Sequence, residues 1–243
     1  MNLIIDIGTS FIKVAVFKEN EILFKEVIQD ISTGYIDELK QKFPEIKYSI
    51  LSSVRKKDPG FSSFLNSEFE CSIELQHNTP IPIGNVYKSP DTLGYDRLAA
   101  AVGAYTIYPD ANVLIIDIGT AITVDFINQE NQYLGGNISP GLEMRFKALS
   151  DYTMNLPKEN PSEQFDLLGK DTSGAIIGGV QNGIIFELQG YINEMNKQFR
   201  NLKVIVTGGN VGFFDKKLKS SIFVDLNLTL KGLNRILAYN VER

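Results

Sequence analysis

Leu-Ile-Ile-Asp-Ile-Gly-Thr occurs twice in this chain of 243 residues, at 3–9 and again at 114–120. Seven letters repeated in full, in a chain without low-complexity bias, mark a duplication. The interval between the copies is domain-sized, far longer than the ~20 to 50 residues of a solenoid repeat. Each copy is an apolar, β-rich run that ends on Asp-Ile-Gly-Thr and is followed by a second such run, FIKVAVF after the first and AITVDFI after the second. Glycine and hydroxyl residues between two such runs read as a hairpin turn. The expected frame is a duplicated domain with two equivalent hairpins facing one shared site.

The surrounding pattern repeats in the same sense. EILFKEVI (21–28) reads as a third strand, YIDELKQKF (35–43) as a helix and KYSILSSV (47–54) as a further strand. Between Arg55 and Pro90 the pattern weakens, and DPG at 58–60 and the prolines of NTPIPIGN read as turns. GYDRLAAAVGAYTIYP (94–109) predicts a helix with Asp96 in its first turn, where a carboxylate is favourable. NVLIIDIG, AITVDFI and QYLGGNIS then predict three more strands. PGLEMRFKAL predicts a helix with Pro140 near its first position, and a long, largely buried helix is expected from about Ser173 to Phe199. LKVIVTGGN (202–210) reads as a buried strand closed by a glycine turn, and LTLKGLNRILAYN as a final helix. Strands followed by helix-strand alternation, given twice, predict an α/β fold with two mixed sheets, divided near Pro109 to Asn112 into domains 1–109 and 110–243.

Composition bounds the chemistry. A formal net charge of -5 argues against a mainly electrostatic nucleic-acid binder, because neutralising phosphates needs a Lys/Arg surplus. No apolar run approaches the ~20 residues that span a bilayer, and MNLIIDIGTS resembles neither a signal peptide nor a lipidation site. No membrane partner and a cytoplasmic location are therefore expected. One cysteine, Cys71, and one histidine, His77, cannot make an internal disulfide, an ordinary zinc site or an iron-sulfur cluster. Cys71 reads as a small buried hydrophobe and His77 as a loop or core residue, while Arg55-Lys56-Lys57 and the KKLK run at 216–219 read as solvated turns.

Oxygen and nitrogen chemistry remains. An aspartate closing a strand, then glycine, then hydroxyls, suits a phosphate: glycine admits it to the backbone, turn N–H groups and hydroxyls donate to it, and the carboxylate can hold Mg²⁺ through water. An isolated Asp-Ile-Gly-Thr would read as an ordinary hairpin, but two copies with a later Val-Thr-Gly-Gly-Asn turn outline an ATP cleft. In LGYDRLAA (93–100), Asp96 offers a general base beside Arg97, a planar cation that can hold a carboxylate or developing phosphate charge.

The doubled strand-Asp-x-Gly-Thr and the strand-Thr-Gly-Gly-Asn resemble the actin-like ATPase superfamily, whose two ribonuclease H-like halves, each a mixed sheet flanked by helices, close over a nucleotide. More narrowly, NVYKSPDTLGYDRLAAAVGAY, GGNISPGLEMR and LGKDTSGAIIGG, in that order with the two hairpins, resemble the type III pantothenate kinases. The resemblance covers nearly the whole chain and implies ATP-dependent phosphorylation of pantothenate to 4'-phosphopantothenate, the first step of coenzyme A synthesis. It implies that Asp6, Ile7, Gly8, Thr9, Ser10, Phe11, Ile12 and Lys13 surround the ATP phosphates, with Asp6 placing magnesium and Thr120 a further ATP contact. It implies that Gly94, Tyr95, Asp96 and Arg97, with Tyr87 and Thr172, contact pantothenate, and that Asp96 takes the proton of its primary hydroxyl. It implies Asp117 as ligand of a monovalent cation, K⁺ or NH₄⁺, and a homodimer with the pantothenate pocket at its interface.

Departures are local. The first loop commonly reads D-x-G-N-T in that family and is Asp6-Ile7-Gly8-Thr9-Ser10 here; Ile122 stands where threonine is frequent, and Asp171 where asparagine is usual. Rival readings are a kinase for another small alcohol, an actin-like filament protein, or a non-catalytic regulatory relative that assists bacterial transcription. Retention of Asp96, Arg97, Asp117 and Thr172 favours the enzyme.

Overall fold

In the computed structural model, which describes residues 1–56 and 58–242, the first copy of the repeat forms strand β1 (Asn2–Ile7). It turns back into β2 (Ile12–Lys18), with Asp6 opposite Lys13 and Ile7 opposite Ile12. Strand β3 (Glu21–Ile28) continues antiparallel to β2. Helix α1 (Thr33–Lys42) then returns the chain to β4 (Tyr48–Ser53), parallel to β1, and α2 (Pro59–Glu68) leads to β5 (Cys71–Glu74), parallel to β4. The order is β3-β2-β1-β4-β5.

A short β6 (Gly84–Asn85) and helix α3 (Tyr95–Ile107) intervene before the second copy. There β7 (Val113–Ile118) and β8 (Ala121–Ile127) form the equivalent hairpin, followed by β9 (Gln132–Pro140), α4 (Leu142–Tyr152) and the long α5 (Thr172–Gln198). Strand β10 (Lys203–Thr207) returns parallel to β7, then α6 (Val211–Phe214), β11 (Phe223–Val224) and α7 (Leu228–Val241) complete the chain. Read from β9, the second sheet runs β9-β8-β7-β10-β11, with β6 added beside β9. The repeated heptapeptide is thus the central strand of the same five-strand order in both sheets.

The chain divides into two compact units: Met1–Pro109 with Asn131–Leu134 and Asn227–Arg243, and Asp110–Glu130 with Gly135–Leu226. In the first, Leu3, Ile5, Val14 and Val16 pack with Ile36, Leu39, Phe61 and Leu65 of α1 and α2. In the second, Leu114, Ile116 and Ile118 pack against Ile176, Val180, Ile184 and Leu188, one residue per turn of α5. With Gly178, Gln181 and Ile192, these are the residues that α5 buries. Its opposite face is exposed, Phe186 included, so the helix is amphipathic rather than largely buried.

Three local expectations change. DPG at 58–60 starts a helix: Asp58 Oδ1 accepts from the N–H groups of Gly60 and Phe61 at 3.0 and 3.1 Å, with Pro59 in the first turn. Pro140 ends β9, and Gly141 is the N-cap of α4. Cys71 begins an edge strand and is half-buried.

The C-terminal helix packs within the first unit, against α3. Two glycines set that contact. A Cβ on Gly232 would fall 1.7 Å from the carbonyl oxygen of Ala99, and one on Gly103 would fall 2.3 Å from that of Leu228. Asn234 adds polar ties, accepting from Asn2 Nδ2 and donating to the Glu19 carbonyl, each at 2.8 Å. Because backbone cannot yield as a side chain end does, Gly232→Ala is expected to destabilise the protein by about 3 kcal/mol or more. Urea unfolding checks this, and a change below about 1 kcal/mol would contradict the close packing. No helix among the described residues is long and apolar enough to cross a membrane.

Candidate active site

Alternation along β1 places Leu3 and Ile5 towards α1 and α2, so Ile4 and Asp6 project from the opposite face. Asp6 sits there 5% exposed. Burial pushes its carboxyl up to about 6, and the negative charge of Asp96 acts in the same direction; Lys13, its cross-strand partner, and Ser52 oppose the shift. Ser52 lies beside Asp6 in the β1–β4 register, and among the described residues its buried hydroxyl has no partner with hydrogen-bond geometry. Its pull on Asp6 is therefore that of a nearby dipole, not of a formed hydrogen bond.

Asp96 comes from the first turn of α3 and is exposed. Its Oδ1 accepts from the N–H of Arg97 at 2.8 Å, a contact that engages an otherwise open donor of the first turn. A Cβ at Gly94 would lie 2.5 Å from Asp96 Oδ1, so a side chain there would have to displace that carboxylate. Arg97 points inwards, 6% exposed, with its guanidinium 5.8 Å from the ring centroid of Tyr87. The Tyr87 ring in turn packs on Tyr133, centroids 5.9 Å apart. An aromatic shelf thus fixes a buried guanidinium one residue from an exposed carboxylate. Tyr95 is placed elsewhere, lining a cavity of about 360 Å³ with Ile7, Ile12, Leu51 and Arg55.

The loop between β1 and β2 is closed by one backbone bond, Gly8 N–H to the Phe11 carbonyl at 3.0 Å. Thr9, Ser10 and Phe11 are exposed there, whereas the Ile12 side chain belongs to the core. Arg55 crosses to this loop from the end of β4, donating from Nε to the Gly8 carbonyl at 2.9 Å and from Nη2 to the Thr9 carbonyl at 3.5 Å. Read from sequence with Lys56 and Lys57 as a solvated turn, Arg55 instead has two main-chain partners; Lys57 lies outside the described residues.

In the second unit Asp117 is the penultimate residue of β7, half-buried, and the turn after β10 folds against it. Gly208, at φ +104°, approaches so closely that a Cβ would meet Asp117 Oδ1 at 2.5 Å and the Ile118 backbone at 2.6 Å; Asn210 N–H donates to the Ile118 carbonyl at 3.0 Å. From the other side Gly141 N–H donates to the Thr120 carbonyl at 3.1 Å, with no room for a side chain. Thr120 itself is exposed. The second hairpin pairs Ile118 with Ile122 where the first pairs Ile7 with Ile12, so its loop is one residue shorter.

Thr172 stands apart from that cluster, at the start of α5. It borders an apolar cavity of about 730 Å³ walled by Leu149, Leu156, Ile176 and Val180, with Arg145 at its edge. Asp171 caps the helix, its Oδ1 accepting from Gly174 N–H at 2.7 Å. Its charge thus meets the positive helix end.

No group of three or more His, Cys, Asp or Glu that could hold a metal occurs among the described residues. A magnesium ion held by one or two carboxylates, water and phosphates needs no such group. Asp6, buried with Asp96's charge near, is a place where a cation relieves an existing cost. His77, exposed with Nε2 3.5 Å from Asp91 Oδ1, is a loop residue. Sequence reasoning missed Ser52, Arg55 and Gly141. Only Gly141 carried a signal, as the glycine between strand and helix.

Residues 2–197 match the family model for type III pantothenate kinase. The chain is similar to a type III pantothenate kinase of Phocaeicola vulgatus, 45% identical with 99% of each chain covered, and to one of Christiangramia forsetii, 44% identical with 99% of each covered. Among solved structures it is similar to a Campylobacter jejuni protein described as a candidate Baf family transcriptional activator, TM-score 0.65, at 23% identity over 99% of this chain and 100% of that one. The activator of the 2-hydroxyisocaproyl-CoA dehydratase from Clostridium difficile, with bound ADPNP, gives a TM-score of 0.53 at 16% identity over 99% and 94%. At such identities the structures share a fold and no more.

Proposed function

We propose how this chain, which belongs to the type III pantothenate kinase family, divides the phosphorylation of pantothenate by ATP among its residues. The reaction makes 4'-phosphopantothenate and opens coenzyme A synthesis. The observation that carries the reading is the placement in one unit of a buried Asp6, a facing Lys13 and an exposed Asp96 close enough to raise Asp6's pKa.

The loop Gly8-Thr9-Ser10 receives ATP phosphates, and Lys13 adds positive charge beside Asp6. Asp6 would hold magnesium through water, and the ion would supply positive charge against the phosphates. Asp96 accepts the proton of pantothenate's primary hydroxyl on the carboxylate oxygen that Arg97 N–H leaves open. The hydroxyl oxygen bonds to the γ-phosphorus as the bond from that phosphorus to the ADP oxygen breaks. A loose transition state needs alignment more than a strong base, so an aspartate suffices. Arg97, pinned against Tyr87, is matched to pantothenate's carboxylate.

In the second unit Thr120 is an ATP contact and Asp117 the ligand of K⁺ or NH₄⁺. Thr172 is a pantothenate contact in a homodimer whose interface includes the apolar cavity at α5. The protein works in the cytoplasm. ADP release with MgATP and pantothenate is expected to be activated at least tenfold on replacing Na⁺ by K⁺ or NH₄⁺. Asp117→Ala abolishes that activation in this reading. Equal cation dependence in variant and parent would move the ion site elsewhere, and a fully active monomer in light scattering would contradict the shared pocket.

A further inference from the structure

We propose that Arg55 is a positioning residue for the nucleotide: it holds the Gly8–Phe11 loop with its amide face towards the phosphates. The inference rests on the assignment of that loop to ATP, and it concerns a residue to which neither fold nor family resemblance gave a role.

The loop is exposed, and a backbone bond from Gly8 N–H to the Phe11 carbonyl closes it. Left to itself, a four-residue loop with glycine at its first position has several peptide orientations open to it. Arg55 removes that freedom from outside. Its Nε donates to the Gly8 carbonyl at 2.9 Å and its Nη2 reaches the Thr9 carbonyl at 3.5 Å. These are consecutive peptide groups, and the chain has no cis peptide bonds among the described residues. In a trans peptide the carbonyl of one residue and the N–H of the next point in opposite directions. Fixing the Gly8 and Thr9 carbonyls on the Arg55 side therefore turns the Thr9 and Ser10 N–H groups to the other side together. Successive N–H groups aimed the same way form a concave anion site.

Arg55 is itself held. Its own N–H donates to Ser53 Oγ at 3.1 Å, and the preceding Val54 N–H donates to the Ile7 carbonyl at 3.0 Å, which stitches the end of β4 to the end of β1. The guanidinium fork is what the task requires, because two adjacent carbonyls need two donors in fixed relation. A lysine carries the same charge as a single point and cannot reproduce the fork. Arg55 thus acts through main-chain carbonyls, and the phosphates are met by the amides it turns.

The test compares the parent with Arg55→Gln and Arg55→Lys by calorimetric titration with MgATP, which needs no turnover, and by hydrogen exchange of the 7–12 segment in the nucleotide-free protein. Arg55→Gln is expected to weaken MgATP about tenfold, as the loss of one or two charge-assisted contacts implies. Arg55→Lys should recover little of this, exchange at 7–12 should quicken in both variants, and the KM for pantothenate should stay within twofold. A Kd unchanged in Arg55→Gln would overturn the proposal. So would full recovery in Arg55→Lys with normal exchange, which would make Arg55 a direct charge contact. A parent that binds MgATP yet fails to phosphorylate pantothenate would sink the substrate assignment while leaving this test intact.

Discussion

Asp96→Asn is expected to fold normally and to lose turnover by about 10² to 10⁴-fold, the range that a positioned general base supplies. Asparagine keeps the volume and can still accept from Arg97 N–H, the contact that seats the side chain on the first turn of α3. What disappears is the oxygen able to take the proton of the acceptor hydroxyl. The change should also reach Asp6. Asp96 is one of the two influences that raise the Asp6 pKa, so in the variant the Asp6 carboxyl should titrate below about 6 in the nucleotide-free protein. A KM for MgATP near the parent's with a collapsed kcat is the expected signature. Near-normal kcat would remove Asp96 from the chemistry.

The second large effect belongs to Asp6. Its pKa is raised from 3.8 to about 6, chiefly by burial. Between those values the folded chain binds more protons than the unfolded one, so stability falls as pH rises through the window and levels off above it. The gap corresponds to about 3 kcal/mol. The site therefore carries a charge at neutral pH that the fold would be more stable without, the usual cost of a cation-binding carboxylate. Asp6→Asn should erase that part of the pH dependence in urea unfolding between pH 4 and pH 7. In the proposed reading it should also cut turnover by about 10²-fold or more, because magnesium would lose its anchor. If the variant keeps the parent's pH slope, the carboxyl responsible lies elsewhere.

Much of the architecture could be read from the letters where physics is local. β1 and β7 are central strands, so their apolar runs are continuous, and the turn residues that follow them are what hairpins require. The same logic exposed the N-terminus of α3 with Asp96 in its first turn. What escaped was either a competition between two meanings of one motif or a contact distant in sequence. Asp-Pro-Gly serves a turn as well as a helix start, and only the two N–H donors reaching Asp58 decide for the helix. Pro140 can open a helix or end a strand, and here it ends β9.

The return of α7 to the first unit depends on Gly103 and Gly232 admitting two backbones to close range, which no periodicity records. For the site, the residue types were legible and the neighbourhoods were not. The charge of Asp96 reaches Asp6 across ninety positions of chain. Arg55 looked like one cation among three because its partners are main-chain carbonyls, which have no letter of their own.

The central claim is that this chain transfers the γ-phosphoryl group of ATP to the primary hydroxyl of pantothenate. Its most direct test is mass spectrometry of the products after incubating the purified protein with MgATP and pantothenate in potassium buffer, with ADP counted in the same sample. One 4'-phosphopantothenate is expected for each ADP, with negligible ADP when pantothenate is left out. ADP formed equally with and without pantothenate, or no phosphorylated pantothenate at all, would contradict it.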